Sequence, residues 1–211
     1  MNARTGIPVV VAAPSGTGKT TVCREVVARD PQIEFSISHT TRIQRPRERD
    51  GVDYHFVSPA EFQRLIDAGA FLEWAVYNGN RYGTSWAAID GPLSAGRDLL
   101  LEIEVQGARQ VRAKRSDARS VFLVPPSFAT LRERLEQRAA DSAGEISARL
   151  DLARHELAEG ALFDYAVVND ELERCVGEVL AILAAERVGD TAQLRERHAP
   201  GPLIAKLLEN R

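Results

Sequence analysis

The segment "APSGTGKTT", residues 13–21, has the residue types of a loop that binds phosphate groups. Its glycines, Gly16 and Gly18, allow backbone N–H groups to turn around phosphate oxygens, and a helix that begins after them favours an anion. The ammonium group of Lys19 can reach the outer phosphates of a nucleoside triphosphate, and the Thr20 hydroxyl can ligate Mg²⁺. This segment therefore predicts a site for a magnesium-bound nucleotide.

The context of the loop supports this interpretation, although the motif GxxxxGK[ST] is broken at its first position by Ala13. The apolar run "IPVVVAA" (7–13) predicts a buried strand before the loop, and "GKTTVCREVVARD" predicts a helix after it. The alternative is a glycine-rich turn that binds nothing. We expect contacts to the nucleotide phosphates from Ala13, Pro14, Ser15, Gly16, Thr17, Gly18, Lys19 and Thr20.

Two acidic residues, Glu102 and Glu104, lie near the carboxyl end of the buried apolar run "DLLLEIEVQG" (98–107). On an extended strand, residues two apart point to the same face. The carboxyl end of a parallel strand faces the ligand crevice, where these groups could hold a water of Mg²⁺ or a donor group of the substrate. The alternative is that they form ion pairs with Arg109 or Arg112.

Four arginines, Arg42, Arg45, Arg47 and Arg49, fall within eight positions and need a counter-charge. A nucleic acid, a neighbouring acidic face and a small anionic substrate are the three possibilities. The net charge of -3 and the pI of about 5.9 disfavour a nucleic acid. Because Arg47 and Arg49 lie among acidic residues, we interpret them as a solvated, partly self-paired face. The forked guanidinium group matches phosphate, and two arginines together with tyrosine hydroxyls can neutralise a dianionic monophosphate.

The composition is that of a soluble globular protein, with 211 residues, 44% of them hydrophobic and 27% charged. The two cysteines, Cys23 and Cys175, are far apart and suggest neither a zinc site nor a disulfide framework. No signal peptide or membrane-spanning stretch is visible, so we expect a cytoplasmic protein with reduced thiols and no membrane partner.

Strands and helices alternate along the chain, which indicates an α/β fold with a parallel sheet. The buried strands are predicted at 7–13, 98–107, 119–126 and 164–170. Residues 36–84 interrupt this alternation and predict an insertion with its own small sheet. Residues 138–149 are small and polar and predict a mobile segment, and the tail 188–211 contains a short helical stretch, "LIAKLLEN".

Over residues 6–187 the chain resembles the bacterial guanylate kinases, which are P-loop nucleoside monophosphate kinases. The resemblance rests on nine segments in the family's order: "APSGTGKTT", "SISHTTR", "GVDYHFVS", "FLEWAVYNGNRYGTS", "LLEIEVQGARQVR", "VFLVPPS", "RLEQR", "ARL" and "FDYAVVND". It implies a P-loop NTPase-type parallel sheet core flanked by helices (6–35, 85–127 and 150–187), an inserted small mixed α/β GMP-binding region (36–84) and a mobile lid (128–149).

The resemblance also implies the activity: Mg²⁺-dependent transfer of a phosphoryl group from ATP to GMP, and to dGMP, without a nucleic-acid partner. Its catalytic positions are Lys19, Arg42, Arg134 and Arg149; its further ATP-binding positions are Arg138 and Asn169; its GMP-binding positions are Ser38, Arg42, Arg45, Tyr54, Glu73, Tyr82, Thr84 and Glu104; its metal positions are Thr20 and, through water, Glu102. Within this set, Glu73 and Thr84 would read the guanine base. A monomer and a homo-oligomer both remain open.

The chain departs from the family pattern at Gln44, Arg47 and Ala139. One alternative function is an inactive guanylate-kinase-like module that binds phosphopeptides, which the intact Lys19 and Thr20 disfavour. Another is a P-loop kinase for a phosphorylated sugar, which would not need a guanine reader.

Glu73 also has a structural interpretation, as an outward-facing strand residue paired with Arg81.

Overall fold

The computed structural model describes residues 4–137 and 143–209. The chain divides into two compact units, which are described separately. Unit 1 consists of Met1–Val10 and Gln32–Arg119, and unit 2 of Val11–Pro31 and Ser120–Arg211. Strand β1, Pro8–Ala12, contributes to both units and is buried along its whole length. Its run of apolar residues without polar alternation is typical of a strand covered on both faces.

Unit 1 contains two sheets and three helices. Its elements after β1 are β2 (Ile33–Phe35), β3 (His39–Thr40), β4 (His55–Phe56), α2 (Pro59–Asp67), β5 (Phe71–Tyr77), β6 (Asn80–Ser85), α3 (Trp86–Ser94), β7 (Asp98–Glu102) and α4 (Val105–Lys114). The first sheet has five strands, and those that belong to unit 1 follow the order β2-β7-β1, with β2 and β7 parallel. The second sheet has the order β4-β3-β6-β5 and is mixed, because β3 is parallel to β4 and antiparallel to β6.

Unit 2 carries the remaining elements. They are α1 (Lys19–Arg29), β8 (Arg119–Val124), α5 (Phe128–Gln137), α6 (Ala143–Gly160), β9 (Tyr165–Val168), α7 (Leu172–Val188), α8 (Ala192–Arg197) and α9 (Pro200–Glu209). Strands β8 and β9 are parallel, with Val121 opposite Tyr165, and β8 lies beside β1. The predicted parallel sheet with flanking helices is confirmed, and so is the separate small sheet.

Several local predictions need correction. The strand predicted at 98–107 ends at Glu102, and Glu104 is the N-cap residue of α4, so the two acids do not lie on one strand. Strand β2 has only three residues and was too short to predict. Helix α3 was not predicted because its sequence contains Pro92, and proline is unfavourable inside a helix. Residues 143–149 belong to α6, whereas the rest of the segment predicted to be mobile, 138–142, lies outside the described residues.

No helix among the described residues is long and apolar enough to cross a membrane. Cys23 and Cys175 are both buried, and neither forms a disulfide.

Candidate functional site

The loop that connects β1 with α1 has the backbone conformation that its glycines predict. Gly16 and Gly18 have φ angles of 89° and 96°, which a side chain makes costly. Among the described residues, Asn78 is the one non-glycine residue with positive φ, so Ala13 does not need the freedom of glycine. The replacement of the first glycine by Ala13 is therefore compatible with the loop.

The N-terminus of α1 is open to an anion. Its N-cap residue, Gly18, provides no side chain to accept hydrogen bonds from the first N–H groups, and the first turn contains no acidic residue. The N–H groups of a helix's first turn and the helix dipole together favour negative charge at this end. Lys19, half-buried, and Thr20, exposed, are the first two helical residues, so their side chains flank the same N–H groups.

Two side chains of unit 2 hold the loop by its carbonyl groups. The side-chain amide of Asn169 donates to the carbonyl oxygen of Thr17 at 2.7 Å. Arg134 donates to the same oxygen at 3.1 Å and to the carbonyl oxygen of Asn169 at 2.9 Å. Arg134, which the resemblance implies to be catalytic, thus supports the backbone of the phosphate loop. A Cβ on Gly18 would lie 2.8 Å from the Asn169 amide nitrogen, so only glycine allows this approach.

Helix α5 packs directly against the loop. A Cβ on Gly16 would lie 2.9 Å from a methyl carbon of Leu135 and 3.1 Å from one of Leu131. The apolar cluster that joins α5 to α6 consists of Leu131, Leu135, Ile146, Leu150 and Ala153. Arg149 is a partly buried residue of α6, whereas Arg138 lies outside the described residues.

In unit 1, the predicted guanine reader Glu73 is a buried residue of β5, with 3% of its surface exposed. Its carboxylate accepts the backbone N–H of Thr84, which lies opposite on β6, at 2.9 Å. The hydroxyl groups of Thr84 and Ser38 are 3.1 Å apart. Arg81 donates to Gln63 at 2.8 Å, and the interpretation of Glu73 as an outward-facing residue is wrong, because Glu73 is buried.

Burial raises the pKa of the Glu73 carboxyl to about 7. The hydrogen bonds from Thr84 and the positive charge of Lys114 lower the pKa, and the negative charge of Glu104 raises it further. The combined effect of burial and these partners is a pKa of the Glu73 carboxyl well above the ordinary value of 4.5. A buried carboxylate of this kind gains most from a ligand that offers hydrogen-bond donors.

The arginine cluster has two exposed members, Arg47 and Arg49, as the acidic residues around them predicted, whereas Arg42 is bound by Glu48. Glu48, one of the acidic residues beside Arg47 and Arg49, accepts from the guanidinium of Arg42 at 2.7 Å and from the backbone N–H of Arg45 at 2.9 Å. The sequence contained a signal for this role, since Glu48 follows both arginines closely in "RIQRPRE".

The charged bond to Glu48 raises the pKa of Arg42 above its ordinary value, and Tyr82 adds to the shift. The Arg42 guanidinium lies 5.5 Å from the ring centroid of Tyr54. The rings of Tyr54 and Tyr82 are 5.9 Å apart. The structure therefore brings a guanidinium and two phenol side chains together, which are groups that can surround one phosphate. Arg45 is nearby along the chain but has an exposed side chain.

The predicted acidic pair lies in unit 1. Glu102 ends β7 and Glu104 caps α4, and both are partly buried. Among the described residues, no cluster of three or more His, Cys, Asp or Glu side chains could hold a metal ion by itself. Mg²⁺ in phosphoryl-transfer sites is commonly held by one or two protein groups together with substrate phosphates and water, so a single carboxylate or a single hydroxyl has suitable donor chemistry.

Comparison with known proteins identifies the family of this chain. Residues 5–186 match the family model described as guanylate kinase. The chain is 47% identical over 204 residues to a guanylate kinase from Xanthomonas euvesicatoria pv. vesicatoria, covering 97% of this chain and 99% of that one. It is 46% identical to a guanylate kinase from Geobacter sulfurreducens, covering 87% and 91% of the two chains.

A similar solved structure is that of guanylate kinase from Anaplasma phagocytophilum. The TM-score is 0.72 at 32% sequence identity, and the match covers 89% of each chain.

Proposed function

The chain belongs to the guanylate kinase family, and we propose that it transfers the γ-phosphoryl group of ATP to GMP or dGMP, giving ADP and GDP or dGDP. The observation that carries the choice of substrate is the buried carboxylate of Glu73, held by the N–H of Thr84 at 2.9 Å. The reaction would take place in the cytoplasm, in keeping with two buried cysteines that form no disulfide.

Unit 2 would hold ATP. The N–H groups of the loop and of the first turn of α1 would surround the phosphates, and the ammonium group of Lys19 would follow the charge of the transferring group. Asn169 and Arg134 would keep the loop in shape through the carbonyl oxygen of Thr17. Arg149 would add positive charge during transfer.

Unit 1 would hold GMP by its base. Guanine presents two donors side by side, N1–H and the 2-amino group, and a carboxylate has two oxygens at matching spacing. Adenine has an unprotonated N1 at that edge, which would face the Glu73 carboxylate lone pair to lone pair. The Thr84 hydroxyl would contact the guanine carbonyl group, and the hydroxyl of Ser38, 3.1 Å away, would orient it.

The GMP phosphate would bind to the arginine and tyrosine side chains of the same unit. The proposed contacts are Ser38, Arg42, Arg45, Tyr54 and Tyr82, with Glu104 on the side of the sugar and base. Glu48 holds the Arg42 guanidinium in place. A guanidinium has five N–H donors, and Arg42 uses one on Glu48 and another on the carbonyl of Ile43, so donors remain for a phosphate.

The chemistry does not require a strong base, because the attacking oxygen of GMP is already anionic. Positioning and neutralisation of charge supply the rate enhancement. We propose that Mg²⁺ accompanies ATP, held by the Thr20 hydroxyl and, through water, by Glu102. Bound in this way, the ion would neutralise charge on the phosphates.

The alternatives conflict with particular side chains. A module that only binds phosphopeptides would not need Lys19 and Thr20 at the open end of α1. A kinase for a phosphorylated sugar would not need a buried carboxylate beside Thr84. The deciding experiment measures ADP formation from ATP and Mg²⁺ with GMP, dGMP, AMP, CMP or UMP. We expect GMP and dGMP to be preferred; equal rates with AMP, or no turnover with any, would overturn the proposal.

A further inference from the structure

Strand β5, which carries Glu73, lies at the edge of its sheet, in the order β4-β3-β6-β5. One side of an edge strand has N–H and C=O groups without partners in the sheet. Side chains of α4 bind these groups. The Gln110 side chain accepts from the backbone N–H of Trp74 at 3.2 Å and donates to the carbonyl of Trp74 at 2.6 Å. These two bonds replace the hydrogen bonds that a neighbouring strand would make with Trp74.

A second side chain of α4 continues this pattern along the strand. Lys114 lies one helical turn after Gln110, and its ammonium group donates to the carbonyl of Leu72 at 2.5 Å. Leu72 and Trp74 are the residues on either side of Glu73. The backbone on both sides of the proposed guanine reader is therefore bound to α4 by side chains.

Gly107 faces the Glu73 carboxylate itself, one helical turn before Gln110. A Cβ on Gly107 would lie 2.3 Å from a carboxylate oxygen of Glu73 and 3.1 Å from the carboxylate carbon. Glycine is less favourable than alanine inside a helix. Gly107 has no positive φ that would require glycine. The space it leaves for the carboxylate is therefore the structural reason for glycine at this position.

We infer that Gly107 and Gln110 are positioning residues for recognition of the guanine base: the glycine leaves room for the Glu73 carboxylate and the glutamine fixes the strand that carries it. The inference rests on the proposed role of Glu73 as the guanine reader. Neither residue touches the substrate in this scheme. Both act through Glu73, so their loss should change the use of GMP and leave the use of ATP unchanged.

The first test is Gly107→Ala, with Gly177→Ala as its control. Gly177 is also helical, and a Cβ there would meet no atom within 4 Å. We expect Gly107→Ala to raise KM for GMP at least ~10-fold and to reduce the preference for GMP over AMP, with KM for ATP unchanged. The control should leave all three quantities unchanged. A normal KM for GMP in Gly107→Ala would overturn the inference.

A double-mutant cycle separates this inference from the proposal on which it rests. Glu73→Ala removes the carboxylate that a new Cβ at Gly107 would meet. If Gly107 acts through Glu73, Gly107→Ala should have no further effect on KM for GMP in the Glu73→Ala background. Additive effects would overturn the inference while leaving the role of Glu73 intact. Normal GMP kinetics in Glu73→Ala alone would overturn the role of Glu73 and the inference with it.

Gln110→Leu provides a second test that does not place an atom against the carboxylate. It removes both bonds to Trp74, and the control is Gln106→Leu at an exposed position of the same helix. We expect KM for GMP to rise ~5-fold or more in Gln110→Leu, with kcat and KM for ATP near those of the control. A loss of kcat with both substrates equally affected would indicate general destabilisation and overturn the positioning role.

Discussion

The carboxylate of Glu48 accepts a hydrogen bond from the guanidinium of Arg42 at 2.7 Å and, with its other oxygen, one from the backbone N–H of Arg45 at 2.9 Å. The side chains of this ion pair are 14% and 18% exposed, so it is better shielded than a typical surface pair. One carboxylate thereby connects the two arginines proposed to bind the GMP phosphate. Its function would be to orient the Arg42 guanidinium.

Replacement of Glu48 by glutamine tests this orienting function. Glu48→Gln keeps the shape but loses the charge-assisted bond, and we expect KM for GMP to rise ~5–10-fold, which corresponds to ~1–1.4 kcal/mol. KM for ATP should not change. The control is Glu61→Gln, which breaks the exposed pair with Arg64 in the same unit. A lower KM for GMP would show instead that Glu48 competes with the phosphate.

Lys19→Met tests the electrostatic contribution of the phosphate loop. Because the ammonium group would stabilise charge on the transferring phosphoryl group, we expect kcat to fall at least ~10²-fold, comparable to the removal of one electrostatic stabiliser. The affinity for GMP, measured by calorimetry, should stay the same. Lys206→Met, on α9, is the matched control. Near-normal kcat in Lys19→Met would contradict the assignment.

Asn169→Ala tests whether the hydrogen bond from the Asn169 side chain to Thr17 holds the phosphate loop in its conformation. The substitution removes one of the two bonds to the carbonyl oxygen of Thr17 and leaves the one from Arg134, and the loss of one such bond costs ~0.5–1.5 kcal/mol. We expect KM for ATP to rise about tenfold with KM for GMP unchanged. Asn80→Ala removes an exposed amide that bonds to the carbonyl of Asn78 and is the control. Equal changes in both KM values would contradict a role confined to the phosphate loop.

The sequence was sufficient to predict the elements that carry strong local signals. The apolar run of β1 predicted a buried strand, and the glycines at 16 and 18 predicted a tightly turning loop. The strand is buried, and both glycines have positive φ. Periodicity could not predict how Glu48 divides its two oxygens between Arg42 and Arg45, since a charged residue in a polar loop also fits a solvated face. Nor could it predict that a glycine of α4 faces Glu73, because that contact depends on the packing of a helix against a distant strand.

Glu73→Gln tests the guanine reader by kinetics. Glutamine retains one acceptor oxygen but presents an NH₂ group where guanine also offers a donor. We expect kcat/KM for GMP to fall ~10-fold or more, which is ~1.4 kcal/mol, and the preference for GMP over AMP to narrow. KM for ATP should change little. Wild-type kinetics with GMP would remove the main physical support for the proposed base recognition.

The same substitution should stabilise the fold at alkaline pH, because burial raises the pKa of Glu73 to about 7 from 4.5. Between these two values the folded chain keeps a proton that the unfolded chain has released, so this group's contribution to stability falls as pH rises. The difference corresponds to roughly 3 kcal/mol above pH 7, and glutamine does not titrate. Glutamine can still accept the N–H of Thr84 through its amide oxygen.

Urea denaturation of both proteins at pH 5, 6, 7 and 8 measures this effect without substrate. We expect the free energy of unfolding of Glu73→Gln, relative to that of the wild type, to increase steadily from pH 5 to pH 7 and then to level off. A difference that stays constant across this range would mean that Glu73 titrates at the same pH in the folded and unfolded chains. In that case ionisation of Glu73 would not destabilise the folded chain. Burial of the carboxylate would then not explain why it binds a base with two hydrogen-bond donors.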